Sequence, residues 1–110
     1  MKIIIVGCGK VGFNEGHDIT VIDRDGTKLR ALTDSLDVME VEGNGAVYQV
    51  QAEAGIQDTD LLIATTNSDE LNMLCCLIAK KAAHYRKNPK SRIFSGAVLY
   101  PRRAESLYGN

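Results

Sequence analysis

The sequence predicts an α/β domain with a doubly wound parallel sheet, and three observations carry that expectation. Short β-branched runs alternate with segments of helical periodicity, the order that builds parallel sheets. The first run, Lys2-Ile-Ile-Ile-Val6, shows no polar alternation, as in a strand buried on both faces. A glycine-rich turn, Gly7-Cys8-Gly9-Lys10-Val11-Gly12, follows that run at once.

The elements follow in order. Asp18-Ile-Thr-Val-Ile22 makes a second strand that ends at Asp23. Asp25 to Ser35 reads as a helix capped by Asp25, with Leu29, Leu32 and Leu36 on one face. Val38 to Glu42 is a third strand, stopped by Gly43-Asn44-Gly45. Ala46 to Ala54 is a short helix, and Gly55 stands where a left-handed cap belongs. Asp60 to Thr65 is the fourth strand. Asn67 and Glu70 then form a capping box before a helix whose Leu71, Leu74, Cys75, Ile78 and Ala82 make an apolar stripe.

With 110 residues the chain has room for one domain, since domains average about 150 residues. Its 45% apolar and 25% charged content is that of a globular protein rather than a disordered one. No apolar run approaches the roughly 20 residues of a membrane span, and the N-terminus lacks the apolar core of a signal peptide. Three cysteines without framework spacing point away from disulfides and toward a reducing cytosol. The expectation is a soluble, intracellular single domain. Charge is uneven: residues 1–83 carry a balance of −6, whereas residues 84–110 carry +5. A basic tail on an acidic body suits either phosphate or membrane-surface contact or a solvated terminal segment.

Gly7-x-Gly9-x-x-Gly12 directly after a buried strand is the dinucleotide-binding fingerprint of a Rossmann-like fold. The first glycine permits the tight turn, the second lets backbone approach a pyrophosphate, and the third lets the next helix pack on the sheet. The pyrophosphate rests on the helix N-terminus, whose free N–H groups attract anions. Asp23 stands where the ribose-binding acid belongs, and a carboxylate there favours NAD(H) over NADP(H). Arg24 either offsets that preference or lies against the adenine. One spacing departs from the pattern. Phe13 to His17 leave five residues where a crossover helix needs about 10. Parallel pairing of the first two strands is therefore not expected across this link, and the reading is that part of the first helix is omitted from the chain.

These residues resemble a known family. Lys2 to Gly12, Gly16 to Asp23, Gly43-Asn44-Gly45, Ala52 to Gly55 and Asp60 to Asn72 are together similar to the RCK domain, also called the KTN or TrkA N-terminal domain, the regulator of potassium conductance. The resemblance covers residues 1–83, with residues 84–110 as a basic, incomplete continuation of the same domain. It implies a Rossmann fold that binds NAD(H) or ATP/ADP without redox chemistry. It also implies a cytoplasmic homodimer or higher ring, at the inner face of the cell membrane, gating a potassium channel or transporter and not binding nucleic acid. Gly7, Gly9 and Gly12 would then line the phosphates and Asp23 the ribose, with Lys10, Val11 and Arg24 also in the cofactor site. Asn44, Thr65, Thr66 and Asn67 would close the crevice. After Ala83 the pattern departs. His84-Tyr85-Arg86-Lys87-Asn88-Pro89 lacks the strand that the family places before its arginines, and Val98 to Ala104 matches a later segment.

Other chemistry finds little support. Cys8, Cys75 and Cys76 lack metal-ligand spacing and read as small buried hydrophobes. No Tyr-x-x-x-Lys pair and no nucleophile with a base stands out, so no residue is placed to act on a second substrate. The favoured function is a nucleotide-sensing regulatory module. The alternatives are the cofactor domain of an NAD-dependent dehydrogenase without its substrate domain, and an oligomerisation module with no ligand.

Overall fold

The computed structural model describes residues 1–8 and 17–83. Four strands form one parallel sheet in the order β3-β2-β1-β4, with β1 over Lys2–Val6, β2 over Asp18–Asp23, β3 over Met39–Glu42 and β4 over Leu61–Ala64. The helices are α1 (Gly26–Ser35), α2 (Tyr48–Glu53) and α3 (Asp69–Ala83), with a 3₁₀ turn at Ile56–Asp58. This is the Rossmann-like arrangement that the strand and helix alternation predicts.

The side chains of β1 explain its unbroken apolar run. Ile3 and Ile5 pack with Ile19, Val21 and Leu29 on the α1 face. Ile4 and Val6 pack with Ile22, Leu62, Cys75 and Ala79 on the face covered by α2 and α3. A strand covered on both sides has no wet face on which to place polar residues.

Parallel pairing of β1 with β2 corrects the sequence expectation: Lys2 stands opposite Asp18 and Val6 opposite Ile22. Residues 7–17 make the link. Running back along a five-residue strand needs about 17 Å, and a chain of that length extends to roughly 36 Å. Reach, rather than a full crossover helix, is what parallel pairing demands.

Two element ends differ from the sequence reading, and two match it. Asp25 caps α1 as expected, its Oδ1 accepting from Thr27 N–H (3.0 Å) and Lys28 N–H (3.3 Å). The second helix, expected from Ala46, starts at Tyr48, because Asn44 Oδ1 accepts from Ala46 N–H (2.9 Å) and holds the chain in a turn. Gly55 after α2 is left-handed at φ 89°. The cap of α3 is Ser68 rather than Asn67: its Oγ accepts from Leu71 N–H at 3.1 Å and donates to Glu70 Oε2 at 3.2 Å. Within α3 the buried stripe is Asn72, Cys75, Ala79 and Ala82, whereas Leu74, expected inside, is 46% exposed. The expected continuation over residues 84–110 lies outside the described residues.

Candidate functional site

In a doubly wound sheet, ligands bind beyond the carboxyl ends of the strands where the strand order reverses. Here the reversal falls between β1, which is followed in space by β2 on one side, and β4 on the other. A crevice of about 210 Å³ opens at that place. Small-molecule pockets run from about 300 Å³ upward, so the described walls enclose less than a whole ligand site.

Of the site residues expected from sequence, Gly7, Asp23, Arg24, Thr65, Thr66 and Asn67 line this crevice together. Asn44 does not line it. Gly43 and Gly45 do, while the Asn44 side chain is spent on Ala46 N–H. Gly9, Lys10, Val11 and Gly12 lie outside the described residues, as do Arg86 and Lys87.

Gly7 is held by two neighbours. Its N–H donates to Ile22 O at 2.8 Å, and its backbone has φ +106°. A Cβ on this residue would lie 2.9 Å from Thr65 O and 3.2 Å from Thr66 N. The turn after β1 therefore needs glycine for its own close approach to the β4 loop, before any ligand is considered.

Asp23 ties two loops to the end of β2. Its Oδ2 accepts from Cys8 N–H at 2.9 Å, and its Oδ1 accepts from Asp25 N–H at 2.8 Å. Each oxygen keeps lone-pair capacity, so the carboxylate can still receive a hydroxyl. Arg24 and Lys28 stand on the same wall and bring positive charge to it.

The model of the TrkA-N domain matches residues 3–95. The chain belongs to the TrkA-N domain family. Among its relatives, the Trk system potassium uptake protein TrkA of Halomonas elongata is 46% identical over 86 residues, which span 72% of this chain and 19% of that protein. The protein of the same name from Vibrio alginolyticus is 44% identical over equal spans. The Trk system potassium uptake protein TrkA homolog 2 of Methanosarcina mazei is 41% identical, over 73% of this chain and 19% of its own length. This chain thus spans about a fifth of the length of the curated relatives it matches. The 86 aligned positions exceed 72% of 110 residues, so these relatives carry residues at several positions where this chain has none.

Behind the crevice of this TrkA-N domain, two buried residues that the sequence left without a role hold its lining residues in place. Asn72, fully buried, clamps Thr66 through three hydrogen bonds. Gln51, fully buried in α2, donates from Nε2 to Gly45 O (2.8 Å) and to Cys75 O (3.0 Å). A polar residue inside an otherwise apolar helical stripe is the signal that points to such a pair.

The cysteines of this TrkA-N domain are poor nucleophiles. Burial pushes the Cys8 thiol from 9.0 up to about 12, with the Asp23 carboxylate beside it adding to the effect. Burial likewise pushes Cys75 up to about 12 and raises Cys76. The thiolate is the reactive form, so all three stay inert near neutrality. Among the described residues no group of three His, Cys, Asp or Glu is placed to hold a metal, and no helix is long and apolar enough to cross a membrane.

The same shifts predict an alkaline weakness. In the unfolded chain the thiols release their protons near pH 9, whereas Cys8 and Cys75 hold theirs to about 12. Their contribution to stability is fully present below about pH 9 and is lost as pH rises through 9 to 12. Urea unfolding at neutral pH and at about pH 10.5 should show a drop that Cys75→Ala reduces. An unchanged drop in that variant would assign the alkaline loss to other groups.

Proposed function

We propose that this domain binds an adenine nucleotide, NAD(H) or ATP/ADP, in the crevice between β1 and β4, and that occupancy regulates a membrane protein carrying potassium. The observation that supports this most directly is the set of lining groups. Gly7 brings bare backbone to the crevice, Asp23 brings a carboxylate, and Thr65, Thr66 and Asn67 bring polar groups from the facing loop. These are the groups that a phosphate, a ribose and a base need. The potassium part rests on relatives named for Trk potassium uptake.

In this reading Gly7, with Gly9, Lys10, Val11 and Gly12 of the fingerprint, cradles the phosphates. Asp23 accepts the ribose hydroxyls, Arg24 flanks them, and the Thr65–Asn67 loop closes over the ligand. Asn44 acts through the turn it stabilises between Gly43 and Gly45. Residues 1–83 carry the nucleotide site, and residues 84–110 continue the same domain. The domain works as a homodimer or ring, in the cytoplasm at the inner face of the membrane, against a channel or transporter subunit. It performs no reaction: every lining group named above serves binding. A nucleotide that prefers one arrangement of the assembly shifts the equilibrium between arrangements, and a coupling of about 1–3 kcal/mol is enough.

Calorimetric titration of the chain with NAD, NADH, ADP and ATP tests the reading. At least one should bind with a stoichiometry of one per chain and be recovered chemically unaltered. Absence of binding by all four would overturn it. Steady consumption of NADH with a small-molecule substrate would instead identify a dehydrogenase cofactor domain.

A further inference from the structure

The buried face of α3 would pack most simply with apolar side chains throughout. Cys75, Ala79 and Ala82 are apolar, but position 72 on the same face is asparagine, with no exposed surface. Burying an amide carries a penalty unless its hydrogen bonds are made. All the bonds that Asn72 makes through its side chain go to one residue. Oδ1 accepts from Thr66 N–H at 2.8 Å and from Thr66 Oγ1 at 2.7 Å, and Nδ2 donates to Thr66 O at 3.2 Å. Both backbone polar groups of Thr66 and its hydroxyl are therefore engaged by one amide from α3.

Thr66 lines the crevice, and its neighbour Thr65 presents the carbonyl against which Gly7 packs. The place of the β4 loop thus sets both a crevice wall and the turn after β1. On the opposite wall, Gln51 bonds Gly45 O and the α3 carbonyl of Cys75. Two buried amides hold α3 against both lips of the crevice.

We infer that Asn72 is a positioning residue for the nucleotide site, holding the Thr65–Asn67 loop in its binding shape from inside α3. The inference rests on the nucleotide-binding reading above. Asn72 touches no lining space itself and acts through Thr66. Because α3 grips both walls, a nucleotide that tightens the loop also tightens α3.

The chemistry of the amide supplies a selective test. In Asn72→Asp the ionised carboxylate still accepts from Thr66 N–H and Oγ1, but it faces Thr66 O with no proton to give. Protonated, the acid donates to that carbonyl and restores the pattern, and burial favours the neutral form. The affinity of Asn72→Asp for the nucleotide that binds the parent best should be about tenfold weaker at neutral pH. It should return toward the parent value as pH falls to about 5, with no such recovery in the parent. Asn72→Ser, too short to reach Thr66, should be equally weak and show no rescue at acid pH. In the ligand-free variants, hydrogen exchange at Thr66 should speed up while Ile4 and Ile5 stay protected. A folded Asn72→Asp or Asn72→Ser with parental affinity across this pH range would overturn the inference while leaving the nucleotide reading intact. A parent that binds none of the nucleotides would overturn both.

Discussion

Asp23→Ala is expected to lose both stability and nucleotide affinity. The substitution leaves Cys8 N–H and Asp25 N–H without their acceptors, each now within 2.9 Å of a carboxylate oxygen. Losing the partly buried bond from Cys8 N–H, with a smaller loss from the exposed Asp25 N–H, lowers the unfolding free energy by roughly 1.5–3 kcal/mol, and losing the proposed ribose acceptor should weaken NAD(H) by about 1.5–3 kcal/mol. The two effects are separable. Urea unfolding of the ligand-free variant reads the first, and titration well below the unfolding midpoint reads the second. Full retention of stability would show that the backbone bonds contribute nothing net. Unchanged affinity for every adenine nucleotide would remove Asp23 from the ligand's contacts.

Gly7→Ala has the second large expected effect. At φ +106° an alanine is strained by roughly 1–3 kcal/mol, and its Cβ would stand 2.9 Å from Thr65 O. The opposing atom is backbone in a loop pinned by Thr65 N–H to Val6 O (2.8 Å) and by the Asn72 clamp on Thr66. Neither wall can retreat without breaking hydrogen bonds, so the crevice should deform and binding should be lost. Thermal unfolding together with NADH and ATP titration checks this. A variant with parental melting temperature and affinity would mean that the β1 and β4 loops are free to separate.

The periodicities and local signals of the chain by themselves determined much of this molecule. An unalternating β-branched run that stops at a glycine turn reads as a strand covered on both faces, and Ile3 to Val6 are so covered. Asp25 caps α1 because a cap needs only neighbours two and three residues away. Gly7 and Asp23 were legible because a tight turn and an acid at the end of the second strand leave a pattern in the sequence itself. The tertiary structure decided whatever depends on partners far apart in the chain. Asp23 reaches back 15 residues to Cys8, and Gln51 reaches 24 residues on to Cys75, contacts that no local spacing encodes. Asn67 was the cap expected for α3, but Thr66 Oγ1 accepts Ser68 N–H at 3.2 Å and Ser68 Oγ takes the cap instead. Asn44 was expected to close the crevice, and its side chain is engaged within its own turn, where Oδ1 accepts from Ala46 N–H. Parallel pairing of β1 and β2 across a short link was decided in space too, where the end-to-end reach of a chain counts and its helical content does not.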